Sequence, residues 1–228
     1  MMRGNKMRIE LKHISKNYGR KSVLKDVSMT AESGMCIGIL GGNGCGKSTL
    51  LSVLSGIRKA SSGSFTCDGV DMLRDRRLRS KIVGYVPQGT PLVEELSARD
   101  NLLIFYGSGE LERELERGTL KLLGIDEYIN VPVRKMSGGM KKRLSIGCAV
   151  ANHPRLLILD EPSAALDLIC KQSIQSYLRA YKRNGGMILL ATHDEEELKL
   201  CDKWYILKNG LSIPYDYDGD VSKLIRHF

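Results

Sequence analysis

The amino-acid sequence predicts an α/β fold built on a mainly parallel β-sheet. Residues 36–40, 156–159 and 187–191 form short, uninterrupted apolar runs. Strands buried on both faces, as in parallel sheets, have this composition. Segments with the apolar spacing of amphipathic helices lie between these runs. This alternation indicates a parallel sheet covered by helices.

The N-terminal third predicts an antiparallel β subdomain beside that sheet. Residues 7–35 alternate polar and apolar side chains, with turn signals at 18–19 and 32–34, so we expect short strands here. Residues 63–86 have the same character, apart from a charged segment at 73–80 that predicts a helix or a loop.

The middle of the chain predicts an inserted helical subdomain. Helical spacing begins at Ala98 and continues to residue 124, and a second helix is expected at 138–151. These helices interrupt the strand–helix alternation. We therefore expect a core, including the β subdomain, at 1–88 and 152–228, and a helical subdomain at 89–151.

The last part of the chain returns to the alternating pattern. A helix is expected at 167–183, because glycines follow at 185 and 186. From residue 204 onward, the sequence predicts two short strands and a terminal helix.

Composition excludes several classes of protein. Hydrophobic residues make up 42% and charged residues 27% of the 228 residues, as in ordinary globular proteins. No apolar stretch reaches the roughly 18 residues of a transmembrane helix. The basic segment at 1–8 lacks the apolar part of a secretory signal. We therefore expect a cytoplasmic chain.

The net charge of +9 fits three surroundings: nucleic acid, an anionic membrane surface, or solvent alone. Basic clusters lie at 74–77, 141–143 and 182–183, and no basic run interleaves with aromatic residues. This pattern favours a solvated or membrane-near surface over nucleic acid.

One segment predicts a phosphate-binding loop. Residues 41–48 match the pattern G-x-x-x-x-G-K-[ST] at every fixed position, between a predicted strand and a predicted helix. The glycines allow several backbone N–H groups to point at one anion, and the helix N-terminus adds positive charge. Lys47 would reach the β- and γ-phosphates of a nucleotide, and the Ser48 hydroxyl would bind Mg²⁺. The predicted nucleotide-binding residues are Gly41, Gly42, Asn43, Gly44, Cys45, Gly46, Lys47, Ser48 and Thr49.

Two acids follow the apolar run at 156–159. Asp160 ends the predicted strand, and Glu161 comes next. In phosphate-loop enzymes an acid at this position holds the Mg²⁺ shell. A carboxylate beside a metal-bound triphosphate is also well placed to act as a general base on water. We predict Asp160 as a metal ligand and Glu161 as the base.

A second helix start also suits an anion. Ser137 fits the N-cap position, and Gly138 and Gly139 allow a close approach. One chain does not need two phosphate-binding helix ends for one nucleotide. The second end therefore predicts contact with a nucleotide held by another protomer.

These motifs resemble, in this order, those of the ATP-binding cassette (ABC) ATPases, over about residues 9–210. The resemblance implies a P-loop NTPase (RecA-like) core. The loop at 41–48 resembles the Walker A motif, residues 137–141 the signature motif, and residues 156–160 the Walker B motif. The remaining matches are Tyr18 for the adenine-stacking aromatic, Gln88 for the Q-loop glutamine that contacts Mg²⁺, residues 164–167 for the D-loop, and His193 for the switch histidine.

The resemblance implies ATP hydrolysis in a head-to-tail sandwich of two subunits. Lys47, Ser48 and Gln88 of one protomer would bind ATP·Mg²⁺, while Ser137 and Gly139 of the other close on its γ-phosphate. The implied catalytic residues are Glu161, which polarises water, His193, which stabilises the transferring phosphoryl group, Lys47 and Gln88.

Details of the signature motif and its surroundings imply a subgroup. Met140 stands where many family members have glutamine, and residues 94–102 also resemble the ATPases of multidrug, lipid and antibiotic exporters. In the D-loop, Ala164 replaces the usual serine. The implied partners are a separate transmembrane permease and a second nucleotide-binding subunit, forming a homo- or heterodimer at the inner face of the cell membrane. No nucleic acid partner is expected.

Some proteins with the same motifs do not transport anything. Those that act in DNA repair carry long coiled coils between phosphate loop and signature motif, whereas residues 41–137 show no sustained heptads. Those that act on ribosomes carry tandem cassettes, and this chain has one. The net charge of +9 nevertheless keeps a non-transport ABC ATPase acting on ribosome or nucleic acid as the alternative.

Overall fold

The computed structural model describes residues 7–227 and contains a curled sheet of ten strands. Residues 1–6, part of the basic segment without a predicted secretory signal, and residue 228 lie outside the described residues. In chain order the strands are β1 (Arg8–Tyr18), β2 (Lys21–Glu32), β3 (Cys36–Leu40), β4 (Ser62–Cys67), β5 (Val70–Asp71), β6 (Val83–Val86), β7 (Leu156–Asp160), β8 (Met187–Ala191), β9 (Lys203–Lys208) and β10 (Leu211–Tyr215). Across the sheet their order is β5-β4-β1-β2-β10-β9-β3-β8-β7-β6.

Helices cover both faces of this sheet. Within residues 7–227 the α-helices are α1 (Lys47–Ser55), α2 (Arg76–Ile82), α3 (Ala98–Leu103), α4 (Ser108–Arg117), α5 (Thr119–Leu122), α6 (Gly138–Ala149), α7 (Leu168–Arg183), α8 (Glu195–Leu200) and α9 (Val221–Ile225). Short 3-10 helices span Asp126–Tyr128 and Val133–Lys135. None of these described helices is long and apolar enough to cross a membrane.

Strands β3, β6, β7, β8 and β9 run parallel, which confirms the predicted parallel sheet. β3, β7 and β8 are buried along their whole length. Leu157 and Leu159 face a core shared with α3–α7, whereas Ile158 faces the core that contains α1. The carboxyl ends of parallel strands lie along one edge. The residues that follow β3, β6, β7 and β8 therefore meet there.

Strands β1, β2, β4 and β5 pair antiparallel, as predicted. β1 and β2 have 11 and 12 residues, longer than the short strands expected. Register shifts within β1 let the strand bend instead of ending, and His13 has a φ of +53° at one of them. The parallel pair Leu211–Asp26 joins β10 to β2 and thereby links the two parts of the sheet.

Serine side chains cap the N-termini of two of the predicted helices. Ser97 caps α3 and Ser137 caps α6, each accepting a backbone N–H three residues later. The segment predicted as helical up to residue 124 divides into α3, α4 and α5. Helix α8 is not predicted from the sequence; its cap is Asp194, whose side chain accepts two backbone N–H groups.

Gly38 of β3 makes room for Trp204 of β9. A Cβ at position 38 would lie 3.0 Å from Trp204 Cδ1 and 3.1 Å from Cys201 Sγ. The indole Nε1 donates a hydrogen bond of 3.2 Å to the carbonyl of Leu198 in α8. The indole therefore packs between β3, which leads into the predicted phosphate loop, and α8.

Candidate functional site

The predicted phosphate loop connects β3 to α1. Gly41, Gly44 and Gly46 have φ values of +144°, +75° and +113°, which glycine adopts far more readily than other residues. A Cβ at position 41 would also lie 2.5 Å from the carbonyl oxygen of Leu207. The shape of the loop therefore depends on glycine at these positions.

Lys47 lies at the centre of this loop and is 6% exposed. Its Nζ donates hydrogen bonds to the carbonyl oxygens of Gly41, at 2.6 Å, and Gly42, at 3.3 Å. The loop thus curves around the ammonium group. This arrangement places a full positive charge beside the N-terminus of α1, where the helix dipole is also positive.

A cavity of about 430 Å³ lies against the loop. Three lysines line it and make its surroundings positive: Lys21, Lys25 and Lys208. Its wall on the loop side consists of Gly42, Asn43, Gly44 and Cys45. On the helix side of the loop, Ser48 is exposed and Thr49 half-buried. Exposed backbone amides and lysines together favour a polyanion.

Asp160 ends β7 and is 2% exposed. The Ser48 hydroxyl hydrogen-bonds to its carboxylate. Burial raises the pKa of Asp160, and the charge of Glu161 adds to this, whereas the Ser48 hydrogen bond and the charge of Lys47 oppose it. The hydroxyl and carboxylate oxygens together are the ligands that Mg²⁺ prefers.

Three of the predicted catalytic residues, Gln88, Glu161 and His193, meet at the carboxylate of Glu161. Glu161 has a φ of +49°, and its backbone N–H donates to the carbonyl of Ala191, at 2.9 Å. Gln88 Nε2 donates a hydrogen bond of 3.0 Å to Glu161 Oε2. His193 Nε2 lies 3.7 Å from Glu161 Oε1. Residues that follow β6, β7 and β8 thus converge on one carboxylate.

His193 is exposed at this edge of the sheet. Partial burial lowers the pKa of its imidazole, the positive charge of Lys47 lowers it further, and the charge of Glu161 opposes both. The lowered pKa favours the neutral imidazole, in which one ring nitrogen carries a proton and the other is an acceptor.

Ser137, Gly138 and Gly139 form the start of α6, away from the loop. Ser137 and Gly138 are exposed, whereas Gly139 is buried. A Cβ at position 139 would lie 2.2 Å from Cys170 Sγ of α7. Within residues 7–227, no hydrogen bond or ion pair joins these three residues to the phosphate loop. The fold therefore brings together Lys47, Ser48, Gln88, Asp160, Glu161 and His193, but not the predicted signature residues.

Tyr18 ends β1 and is 38% exposed. Lys16 Nζ lies 5.0 Å and Arg58 Cζ 5.4 Å from the centre of its ring. Both distances are within the range of a cation–π interaction. The aromatic ring thus lies at the surface in positive surroundings and is not part of the apolar core.

A family model described as ABC transporter matches residues 24–164, which is more than half of the chain. The chain belongs to the ABC transporter family. The curated relatives that this ABC chain matches include Nod factor export ATP-binding protein I from Sinorhizobium fredii, with 41% identity over 210 residues. The protein of the same name from Rhizobium etli is 36% identical, also over 210 residues. Each match covers 90% of this chain, but only 61% and 66% of the respective relative.

Solved structures of ABC proteins share the fold. A dimeric post-hydrolysis state of an ATP-binding cassette bound to ADP and Pi superimposes with a TM-score of 0.81 at 27% identity, covering 91% of this chain and 98% of that one. The protein cbiO1 from Clostridium perfringens, part of an ABC transporter complex, has a TM-score of 0.79 at 28% identity and covers 96% and 91%. The α/β fold predicted from the sequence is thereby confirmed as that of an ABC cassette.

Lys142 is a residue of this ABC cassette that sequence reasoning missed. It is 5% exposed, and its Nζ donates to the carbonyl oxygens of Pro87, at 3.0 Å, and Gln88, at 2.8 Å. Burial lowers the pKa of its ammonium group, and nearby carboxylates, including Glu161, oppose the shift. Helical spacing places Lys142 on the same face as the buried Gly139 and Ile146. That spacing is a signal by which an inward-pointing lysine could have been found.

Glu197 of α8 was also missed. It is 1% exposed and accepts hydrogen bonds from Ser163 Oγ, at 2.5 Å, and from Thr192 Oγ1. Burial raises the pKa of its carboxyl group, although both hydrogen bonds oppose the shift. Ser163 lies just before the D-loop, and Thr192 lies next to His193. Ser163 follows β7, whereas Thr192 and Glu197 follow β8, so no sequence spacing connects the serine to the other two.

Proposed function

We propose that this chain is the ATP-binding and ATP-hydrolysing subunit of an ABC exporter and powers export through a separate transmembrane permease. The convergence of Gln88 and His193 on the Glu161 carboxylate, beside the phosphate loop, carries this proposal. The named relatives are export ATP-binding proteins. This similarity favours transport over action on ribosome or nucleic acid.

In this proposal the phosphate loop binds ATP through Lys47 and the backbone amides of residues 41–49, and Tyr18 stacks on the adenine. Ser48, Gln88 and Asp160 would hold Mg²⁺. Their oxygen ligands fit this ion, and no group of three His, Cys, Asp or Glu side chains in residues 7–227 offers a metal site of its own. The bound ion would neutralise charge on the phosphates.

Hydrolysis requires an activated water and stabilisation of the phosphoryl group. Glu161 orients the water and accepts its proton. Neutral His193 donates a hydrogen bond to the transferring group, and Lys47 supplies positive charge there. Gln88 holds the carboxylate of Glu161 through its amide. All four groups lie at the carboxyl edge of the parallel strands, so few rearrangements are needed to bring them to one phosphate.

A second nucleotide-binding subunit completes the site. Ser137 and Gly138 are exposed at the N-terminus of α6, where backbone N–H groups favour an anion. With Gly139, they would bind the γ-phosphate of the nucleotide on the other subunit. The dimeric cassette with ADP and Pi shows that proteins of this fold pair with nucleotide bound.

Residues 89–151 form, in this proposal, a helical subdomain that passes closure of the dimer to the permease. Val93, Leu103, Ile104 and Phe105 are exposed apolar residues. Asn101 holds the backbone of Val93 with two hydrogen bonds, of 2.8 and 3.1 Å, so Val93 lies beside α3. This apolar surface follows Gln88 closely in the chain and suits a permease segment. The subunit would be cytoplasmic and peripheral, attached to the inner face of the membrane through that contact.

The test is ATP hydrolysis by the purified chain over a range of protein concentrations. We expect a rate that rises more steeply than linearly, because two subunits form the site. Glu161→Gln should abolish hydrolysis and accumulate dimers when ATP is added, as seen by size-exclusion chromatography. Glu195→Gln, in the exposed first turn of α8, is the matched control and should behave as wild type. Wild-type hydrolysis by Glu161→Gln, or failure of the wild type to bind ATP, would contradict the proposal.

A further inference from the structure

A buried lysine connects the signature helix α6 to the Q loop, defined here as residues 87–91. Lys142 donates to the carbonyl oxygens of Pro87, at 3.0 Å, and Gln88, at 2.8 Å. Burying an ammonium group is costly unless hydrogen bonds compensate for the lost water. These two bonds therefore fix the Q-loop backbone against α6 and fix the lysine side chain with it.

The contacts continue from the Q loop to the proposed general base. The Gln88 side chain donates to Glu161 Oε2 at 3.0 Å, while its backbone carbonyl accepts from Lys142. At the other end of the same helix, Ser137 caps α6. A helix rises about 1.5 Å per residue, so Ser137 and Lys142 move together as parts of one rigid element.

Other hydrogen bonds do not provide this connection. Among residues 7–227, no side chain of α3–α6 other than Lys142 hydrogen-bonds to the Q loop. Lys141, its neighbour, is half-buried and pairs with Glu94, outside the Q loop, at 3.0 Å. Among the described residues, Lys142 therefore supplies the side-chain hydrogen bonds that join α6 to the Q loop.

We propose that Lys142 is a positioning residue that makes the Q loop move with the signature helix. The contact of Gln88 with Glu161 then depends on where α6 lies. Because α6 carries the residues assigned to the other subunit's nucleotide, closure at one site adjusts the base at the second site. The catalytic consequence of this inference rests on the proposed function. The contact between Lys142 and the Q loop can be tested without nucleotide.

The first experiment measures hydrogen–deuterium exchange of the backbone amides of Gln88, Gly89, Thr90 and Leu92, with no nucleotide added. Lys142→Met keeps the length of the side chain and removes its donors. We expect exchange at least tenfold faster than in wild type. Lys142→Arg keeps charge and donors and should stay within threefold of wild type. Lys121→Met, which loses an exposed ion pair with Asp126, should exchange at the wild-type rate. Equal exchange in all four proteins would overturn the proposal.

The second experiment distinguishes positioning from general stability. We expect Lys142→Met to lower kcat for ATP about tenfold and to change the KM for ATP less than twofold, with rescue by Lys142→Arg. In a Gln88→Leu background the same substitution should lower kcat less than twofold, because its effect passes through Gln88. If Lys142→Met lowered kcat tenfold in both backgrounds, Lys142 would have only a structural role. If Lys142→Met does not fold, judged by circular dichroism, Lys142→Gln replaces it in both experiments.

The two experiments separate this inference from the proposed function. A wild type that neither binds nor hydrolyses ATP refutes the proposed function, while the exchange experiment still decides whether Lys142 holds the Q loop. A wild type that hydrolyses ATP, with equal kcat losses in both backgrounds, refutes the role of Lys142 alone.

Discussion

The side-chain amide of Gln88 donates a hydrogen bond to the carboxylate of Glu161, with 3.0 Å between Nε2 and Oε2. Gln88 follows β6 and Glu161 follows β7, and these strands are parallel neighbours in the sheet. Sheet pairing therefore brings the amide to the carboxylate and orients it. A hydrogen bond to an ionised group contributes about 1.5–3 kcal/mol.

The first prediction concerns this bond. Gln88→Leu removes the amide and keeps the approximate size of the side chain. We expect kcat for ATP to fall by about 10- to 100-fold, the kinetic equivalent of losing one such bond. Nucleotide affinity, measured without Mg²⁺, should change less than threefold. Gln172→Leu, on the exposed side of α7, controls for loss of a glutamine. A normal kcat in Gln88→Leu would exclude Gln88 from the reaction.

The second prediction concerns the lysine inside the phosphate loop. Lys47→Met removes the charge assigned to the β- and γ-phosphates and the two donated bonds that curve the loop. We expect ATP affinity to fall at least about 100-fold, or about 2.7 kcal/mol. Titration calorimetry measures this change, with Lys203→Met, at an exposed position of β9, as the control. If Lys47→Met binds ATP as wild type does, the phosphate site is elsewhere.

The third prediction compares Gly138 and Gly139, the adjacent glycines of the predicted signature motif. A Cβ at position 139 would lie 2.2 Å from Cys170 Sγ, whereas a Cβ at 138 meets only Leu166 Cδ2, at 3.9 Å. Overpacking costs about 1–3 kcal/mol, so Gly139→Ala should lower the free energy of unfolding by that amount. Gly138→Ala should leave it within about 0.5 kcal/mol. Urea denaturation measures both, and Cys170→Gly should restore Gly139→Ala. Equal stability of the two single variants would refute the steric argument.

The fourth prediction is a pH dependence that arises from Glu197. Burial raises the pKa of this carboxyl group in the folded state. A raised pKa means that the stabilising contribution is complete below the unfolded pKa, about 4.3, and is lost as pH rises through the folded value. Glutamine does not titrate. The free energy of unfolding of Glu197→Gln, relative to wild type, should therefore increase between pH 5 and pH 7.5.

Urea denaturation at several pH values tests this fourth prediction. Glu195→Gln, whose side chain is exposed, should show a constant difference from wild type over the same range. A constant or falling difference for Glu197→Gln would show that its carboxyl group ionises freely in the folded protein.

Much of the fold, and several residues of the candidate site, can be predicted from local sequence. The strand at 36–40, the glycine loop and α1 are adjacent in the chain, so pattern and geometry coincide. Asp160 could be placed because an acid ends an uninterrupted apolar strand. Ser137 could be placed because a serine before two glycines is a helix cap.

What could not be predicted depends on contacts between distant segments. Lys142 lies 54 positions from Gln88, and Gln88 lies 73 positions from Glu161. No composition or spacing rule brings such pairs together. Helix α8 escaped prediction for another reason: it has only six residues, and its acidic first turn lacks an apolar period.

Trp204 is the chain's one tryptophan. Its indole packs on Gly38 of β3 and donates to Leu198 of α8. The protein therefore carries an intrinsic fluorophore between the strand that enters the predicted phosphate loop and the helix that follows His193. Its fluorescence emission can therefore report, without an added label, how those two elements move when a nucleotide binds.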